Sequence, residues 1–102
     1  MKKKIVILGS TGSIGKSLLN IIDKDKKSFD IILLSAKKDY KTLIKQAKKF
    51  NVKNLIVQDI ESFKLLKKKL FNSKIKIFNS FDDLQNILKN KVDYTMNSIT
   101  GI

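Results

Sequence analysis

The sequence has 102 residues, which suits one domain and is too short for two. It has no apolar run long enough to span a membrane, and the absence of cysteine and histidine excludes a disulfide framework and the commonest metal ligands. All of its 22 basic residues are lysines, and against 9 acidic residues they give a net charge of +13.

Apolar runs and helical periodicity alternate in the first half of the chain. The first strand has only four consecutive apolar residues, Ile5–Leu8, which is too few for the core of a signal peptide. We therefore expect a cytoplasmic protein whose leading lysines lie in solvent. In the helix that follows, the apolar stripe expected to face the sheet consists of Ile14, Leu18, Ile21 and Ile22. The predicted elements are a strand at Lys4–Leu8, a helix over 14–24, a strand at Asp30–Ala36 and a helix at Tyr40–Asn51.

The same alternation continues to the end of the chain. It predicts a strand at Asn54–Gln58, a helix over 60–71, a strand at Lys74–Phe78, a helix at Phe81–Lys89 and a strand at Val92–Ile99. Strands that alternate with helices imply a parallel sheet with right-handed crossovers. We predict one doubly wound, Rossmann-like α/β domain over residues 1–102, with helices on both faces. Nothing caps the last strand, so we expect a domain truncated at its C-terminus, a fragment of a longer enzyme.

A glycine-rich segment, Gly9-Ser-Thr-Gly-Ser-Ile-Gly15, stands between the first strand and the first helix. Its first glycine permits a sharp turn, its last permits close packing of helix on strand, and Gly12 permits close approach of a phosphate. Free amides at the helix start attract a diphosphate, and the hydroxyls of Ser10, Thr11 and Ser13 can add donors. This context favours a dinucleotide loop over a tight turn without a ligand.

The end of the second strand distinguishes the two nicotinamide dinucleotides. NAD sites place a carboxylate there, whereas NADP sites place cations near the 2′-phosphate. Lys37 and Lys38 come first in this chain, so we interpret them as partners of a 2′-phosphate. A chance pair among so many lysines is the alternative, and Asp39 could instead cap the next helix. At the same edge of the sheet, the cleft is expected to be lined by Asn97, Ser98, Thr100 and Gly101.

The carboxylates show no catalytic or metal-binding constellation. Most of them lie at predicted helix starts or in loops, where capping explains them. The pair Asp82-Asp83 follows Ser80 in the first turn of a predicted helix, which is also a capping position. We therefore predict no catalytic residue and no metal ligand within the chain.

Four segments resemble the N-terminal NADPH-binding portion of the 1-deoxy-D-xylulose 5-phosphate reductoisomerase family. They are Ile7-Leu-Gly-Ser-Thr-Gly-Ser-Ile-Gly15, Leu34-Ser-Ala-Lys-Lys-Asp39, Ala47-Lys-Lys-Phe50 and Asp93-Tyr-Thr-Met-Asn-Ser-Ile-Thr-Gly101. The glycine segment is the most specific of the four. The chain departs from the family where Lys37 replaces the usual glycine and Asp39 the usual asparagine.

The resemblance implies an enzyme that rearranges a phosphorylated sugar, 1-deoxy-D-xylulose 5-phosphate, and reduces it with NADPH to 2-C-methyl-D-erythritol 4-phosphate for isoprenoid synthesis. It implies a magnesium or manganese ion, a homodimer, and metal and substrate ligands beyond Ile102. This fragment is then expected to bind cofactor without turnover. The residues expected at the cofactor are Gly9, Thr11, Gly12, Ser13, Ile14, Gly15, Lys37, Lys38 and Asp39.

Two alternatives remain open from the sequence. One is the N-terminal domain of another NADP-dependent oxidoreductase, such as a semialdehyde dehydrogenase or a dihydrodipicolinate reductase. The other is a small basic module that binds RNA or DNA. Specific nucleic-acid readers favour arginine and aromatic platforms, whereas this chain has only lysines and places its phenylalanines at apolar positions, so we expect neither a nucleic-acid nor a membrane partner.

Overall fold

The computed structural model describes residues 2–84 and 92–97, along which strands alternate with helices. The strands are β1 (Lys3–Leu8), β2 (Phe29–Ala36), β3 (Asn54–Val57), β4 (Lys76–Phe78) and β5 (Tyr94–Asn97). The helices are α1 (Ser13–Asp23), α2 (Tyr40–Phe50) and α3 (Ile60–Lys69), with 3₁₀ turns at Lys26–Ser28 and Phe81–Asp83. No helix in this part of the chain combines the length and apolarity needed to cross a membrane.

All five strands are parallel and form one sheet in the order β4-β3-β2-β1-β5. From β1 the chain adds strands in one direction as far as β4 and then returns to the other side of β1 for β5. The order therefore reverses at β1. In open parallel sheets, ligands bind beyond the carboxyl ends of the strands at such a reversal. The predicted doubly wound α/β class is confirmed.

The two faces of the sheet are covered differently. Alternate residues of the strands, such as Ile5 and Ile7, pack with α1, α2 and α3 in one large core cluster. On the opposite face, Val6 and its neighbours in β2 and β3 pack against Phe81 and Leu84. Three crossovers on one face follow from right-handed connections in one direction along the sheet. Of the helix predicted at Phe81–Lys89, the first three residues form a 3₁₀ turn, and the part after Leu84 lies outside the described residues.

Several predicted boundaries were wrong by one or two residues. β1 and β2 begin one residue earlier than predicted, and α1 is shifted back by one residue. Helix α3 ends at Lys69, because Leu70 caps it and Ser73 turns back to the Leu70 carbonyl through its amide and its hydroxyl. The start of β4 is correspondingly delayed to Lys76. Helix α2 and strand β3 each end one residue early, and β5 begins at Tyr94. The predicted end of β5 at Ile99 lies outside the described residues.

The face that α1 turns to the sheet also differs from the prediction. Ile14 and Ile21 are 55% and 64% exposed, whereas Gly15, Leu19 and Ile22 are buried. Ile22 is buried and Leu18 is half-buried against the core, as predicted. The prediction was wrong for Ile14 and Ile21, and it missed Gly15 and Leu19. Gly15 explains this difference, because it lets the first turn of α1 lie directly against the backbone of Gly9 and Ser10, which only a residue without a side chain allows.

Candidate functional site

The glycine loop is a compact turn between the end of β1 and the start of α1. Gly9 has a left-handed φ of 76°, as expected for a sharp turn off the strand. Its carbonyl accepts a hydrogen bond from the amide of Gly12 at 3.2 Å, and Lys16 then donates the first helical bond to the Gly12 carbonyl at 2.9 Å. The loop therefore reverses direction within four residues and places the start of α1 beside the end of β1.

Gly15 packs so closely on this turn that no side chain fits. A Cβ atom added there would lie 2.5 Å from both the carbonyl oxygen of Gly9 and the Cα of Ser10. Gly12 is different, because a Cβ at that position would meet the Gly9 carbonyl oxygen at an ordinary 3.6 Å. The packing role predicted for Gly15 is confirmed, whereas the fold itself does not require glycine at position 12.

The start of α1 lacks the side-chain cap that the other two described helices possess. Asp39 accepts a hydrogen bond from the amide of Thr42 at the start of α2, and Asp59 does the same for Ser62 at the start of α3. The N-cap of α1 is Gly12, which supplies no side-chain acceptor, and the first turn contains no acidic residue. Four amides at a helix start have no intrahelical partner, and they carry the positive end of the dipole. This helix start is therefore suited to an external anion.

The predicted loop residues divide into an outer and an inner group. Gly12, Ser13 and Ile14 are exposed and Thr11 is half-buried, so these residues can meet a ligand. Gly15 is buried on the inner side of the turn.

Ser10 also belongs to the inner side, and its predicted role as a hydroxyl donor to phosphate was wrong. Ser10 is fully buried, and its hydroxyl lies 2.7 Å from Oε1 of Gln46, to which it donates. The Nε2 of Gln46 donates back to the Ser10 carbonyl at 2.9 Å. Ser35 of β2 accepts two hydrogen bonds from the loop. The Gly9 amide donates to the Ser35 hydroxyl at 2.8 Å, and the Ser10 amide donates to the Ser35 carbonyl at 2.9 Å. We call Ser10, Ser35 and Gln46 the buried polar cluster.

The segment after β2 lies next to this loop, since Ser35 bonds to Gly9 and Ser10. Lys37 and Lys38 are exposed there. The Lys37 carbonyl accepts a hydrogen bond from the amide of Asp59 at 2.8 Å, and the Lys38 carbonyl accepts one from the amide of Tyr40 at 2.7 Å. The backbone of the lysine pair is therefore fixed by its neighbours while both ammonium groups face solvent. Two exposed lysines thus follow the strand whose Ser35 bonds directly to the glycine loop.

Asp39 has the capping role that the sequence offered as one of two possibilities. Its Oδ1 accepts the amide of Thr42 at 3.1 Å. The carboxylate is therefore engaged by the helix start, where a negative charge is favourable.

A second carboxylate, that of Asp59 at the start of α3, interacts with the charge of Lys38. Hydrogen bonds from the amide and hydroxyl of Ser62 lower the pKa of Asp59 below its ordinary 3.8, and the charge of Lys38 adds to this. A lowered carboxyl pKa means that the charged form stabilises the fold. This contribution is complete above pH 3.8 and is lost as the pH falls through the lower value of the folded chain.

We expect Asp59→Asn to remove part of the acid sensitivity of the chain. Asparagine also caps helices, so the substitution removes the charge and keeps the cap. In urea unfolding from pH 7 to pH 3, the variant should be less stable than the unsubstituted chain at pH 7, and the difference should shrink below pH 3.8. A stability difference that stays constant across this range would contradict the assignment.

At the far side of β1, the end of β5 completes the described edge of the sheet. Asn97 pairs with Leu8 and is exposed, so it stands beside the start of the glycine loop. The other residues predicted to line the cleft, Ser98, Thr100 and Gly101, lie outside the described residues. Residues 2–84 and 92–97 contain no group of three or more acidic, histidine or cysteine side chains suited to a metal ion.

The sequence model of the 1-deoxy-D-xylulose 5-phosphate reductoisomerase family matches residues 5–102, nearly the whole chain. This chain belongs to that family. A reductoisomerase of Pelagibacter ubique is 57% identical over 101 residues, which are 97% of this chain and 26% of the relative. Another, from Phocaeicola vulgatus, is 32% identical over 102 residues, 99% of this chain and 27% of the relative. The chain thus spans about a quarter of the length of these reductoisomerases.

Solved reductoisomerases share the fold. The enzyme of Zymomonas mobilis in complex with NADPH superposes with a TM-score of 0.87 at 31% identity, over 99% of this chain and 27% of that one. A reductoisomerase in complex with NADPH, fosmidomycin and magnesium gives 0.84 at 25% identity, over 95% of this chain and 24% of that one. Neither alternative left open by the sequence, another oxidoreductase or a nucleic-acid module, is favoured by these similarities.

Two members of the buried polar cluster, Gln46 and Ser35, were missed from the sequence. One signal could have pointed to Gln46. It is a polar residue on the apolar stripe of α2, three positions after Leu43 and next to Ala47. A buried polar side chain in such a stripe requires a specific partner. Ser35 gave a weaker signal, as the one polar residue between the apolar run of β2 and Ala36.

Proposed function

We propose that this chain is the NADPH-binding part of a 1-deoxy-D-xylulose 5-phosphate reductoisomerase. The observation that carries the proposal is the start of α1, which lacks a side-chain cap, follows a glycine loop and lies where the strand order reverses. The diphosphate of the cofactor would take the place that Asp39 and Asp59 occupy at the starts of α2 and α3. Family membership and the NADPH complexes of similar reductoisomerases support this choice of ligand.

The outer residues of the glycine loop would contact the cofactor. The amides of Ser13 and Ile14 lie in the first turn of α1, Thr11 adds a hydroxyl, and Gly12 leaves room for a phosphate oxygen. Gly9 and Gly15 would act indirectly, by setting the shape of the turn. When bound, NADPH supplies a hydride for the reduction, and the residues of this chain bind and orient it.

Lys37 and Lys38 would bind the 2′-phosphate, which the cofactor carries on its adenosine ribose. Their exposed ammonium groups follow β2, whose Ser35 bonds directly to the glycine loop. The carboxylate of Asp39 is held by the amide of Thr42, which reduces its conflict with a neighbouring phosphate. We propose that this arrangement gives a preference for NADPH over NADH.

The remainder of the activity is proposed from family membership. It comprises rearrangement and reduction of 1-deoxy-D-xylulose 5-phosphate to 2-C-methyl-D-erythritol 4-phosphate, a homodimeric full-length enzyme and a cytoplasmic location. Magnesium is present in similar reductoisomerase structures. The described residues of this chain offer no cluster that fits a metal ion, so we assign none of them to metal chemistry.

Titration with NADPH and NADH at low and moderate salt tests the proposal. We expect clear preference for NADPH, and we expect Lys37→Ala/Lys38→Ala to weaken NADPH binding about tenfold or more while leaving NADH binding nearly unchanged. The matched control is Lys64→Ala/Lys68→Ala on the exposed side of α3, which removes the same charge elsewhere. This control separates a local phosphate contact from general attraction to a highly basic chain.

The possible outcomes have distinct consequences. Equal binding of both dinucleotides, or equal losses in the two double variants, would remove the 2′-phosphate assignment and leave the glycine loop as a dinucleotide site. No binding of either dinucleotide by the folded chain would refute the proposed function.

A further inference from the structure

The pairing between Gln46 and Ser10 fixes both the side chain and the loop. A backbone carbonyl only accepts, so the contact at 2.9 Å requires Nε2 of Gln46 to donate to the Ser10 carbonyl. Its Oε1 must then accept the Ser10 hydroxyl at 2.7 Å. One side chain from α2 therefore makes both of its hydrogen bonds to a single loop residue, 36 positions earlier in the chain. The shorter bond to Gln46 favours this orientation of the Ser10 hydroxyl over the Ser35 carbonyl, which lies 3.3 Å away, and the two bonds together oppose displacement of Ser10.

A displaced loop would leave buried polar atoms without partners. Ser10 is 0% and Gln46 only 9% exposed, so water cannot easily replace the bonds between them. The cost of an unpaired buried group exceeds the net gain from a formed hydrogen bond, so the pairing strongly favours one loop conformation. The next residue, Thr11, is half-buried, and the exposed residues of the loop begin at Gly12. The position of the anion-suited amides therefore depends on this pairing.

We propose that Gln46 is a positioning residue for the cofactor diphosphate, a role that rests on the proposed function. It holds the glycine loop in the conformation that receives the diphosphate, while its own amide faces Ser10. Helix α2, which carries Gln46, begins at Tyr40, directly after the segment that holds Lys37 and Lys38. One helix thus fixes the loop proposed for the diphosphate and directly follows the segment proposed for the 2′-phosphate.

The test is Gln46→Met, which keeps the side-chain volume and removes both hydrogen bonds. We expect NADPH binding to the 102-residue chain to weaken about tenfold, after correction for the folded fraction. Binding of adenosine 2′-monophosphate, which has the 2′-phosphate but no diphosphate, should change less than about twofold. A loss of fold alone would weaken both ligands together.

Ala47→Gly is the matched control. It lies next to Gln46 in α2 and is buried, and glycine lowers helix stability without touching Ser10. We expect this variant to lose stability and to keep its NADPH affinity once the folded fraction is taken into account.

Ser10→Ala is a milder second variant for the case in which Gln46→Met does not fold. It keeps the hydrogen bond from Nε2 of Gln46 to the backbone carbonyl at position 10. We expect about threefold weaker NADPH binding.

Three results would overturn the proposal. The first is unchanged NADPH affinity in Gln46→Met or, where that variant does not fold, in Ser10→Ala. The second is an equal loss for NADPH and adenosine 2′-monophosphate. The third is an equal loss of NADPH affinity in Ala47→Gly. If the unsubstituted chain binds no NADPH, the proposed function fails and the role of Gln46 fails with it, which distinguishes that case from the other three.

Discussion

Gly15→Ala is expected to be the most destabilising single substitution in the glycine loop. Its Cβ would lie 2.5 Å from the Gly9 carbonyl oxygen and from the Cα of Ser10, and neither backbone atom can move without opening the turn. Overpacking against three backbone atoms at such short distances costs about 3 kcal/mol or more, and alanine returns about 1 kcal/mol through its higher helix propensity. We therefore expect the free energy of unfolding to fall by about 2 kcal/mol or more, measured by urea denaturation.

The effect should extend beyond stability. Because α1 would have to move off the end of β1, the pairing of Ser10 with Gln46 should loosen in the same variant. Amide exchange at Ser10, whose N–H donates to the Ser35 carbonyl, should accelerate more than exchange in β3. A variant with unchanged stability and unchanged exchange would show that the close contact at Gly15 is absent in solution.

Local sequence patterns predicted most of the fold because most of its determinants are local. The short apolar runs of β1 and β2, the helical spacing in α2 and the position of the glycine loop are all encoded within a few neighbouring residues. Asp39 was recognised as a possible cap for the same reason, since capping needs only the sequence immediately after it. The family resemblance agreed with this independent reasoning.

The errors arose where contacts distant in sequence decide the outcome. Ile14 and Ile21 were wrongly assigned to the apolar stripe of α1, because a count of large apolar residues favours them and gives Gly15 no weight. In the structure, the contact of Gly15 with the turn determines the rotation of the helix. A buried glycine can contribute to packing because it allows other backbone atoms to come close. A scale of side-chain hydrophobicity does not include this effect.

The sequence predicted the residues around the proposed cofactor site, but it did not predict the buried contacts that hold the glycine loop in place. The loop hydroxyls were treated alike, although Ser10 points inward and Ser13 stays exposed. Contacts with Ser35 of β2 and Gln46 of α2 distinguish them, and these contacts span 25 and 36 residues of sequence. Likewise, the balance of charge around Lys38 depends on Asp59, which the fold brings from the next loop. Partners of this kind require the tertiary structure.

Gly12→Ala is expected to have the opposite profile to Gly15→Ala, with lost ligand binding and a preserved fold. The backbone at Gly12 has φ −78° and ψ 175°, which any residue adopts, and an added Cβ would meet the Gly9 carbonyl oxygen at 3.6 Å. We expect the free energy of unfolding to change by less than about 1 kcal/mol. Alanine is a poorer N-cap than glycine, which destabilises the fold, but it also makes the unfolded chain less flexible, which stabilises the fold. NADPH binding should weaken about tenfold or more, because the methyl group occupies the space proposed for a phosphate oxygen.

The two alanine variants together separate what the fold needs from what the ligand needs. Each adds the same methyl group to the same turn, three residues apart, so differences in general loop flexibility cancel in the comparison. Urea denaturation and NADPH titration of both proteins provide the measurement. If Gly12→Ala folds normally and binds NADPH as tightly as the unsubstituted chain, the diphosphate does not approach the loop at this position, and the proposed cofactor contact there is wrong. If Gly12→Ala keeps its stability but binds NADPH weakly, the glycine at position 12 serves the ligand and not the fold.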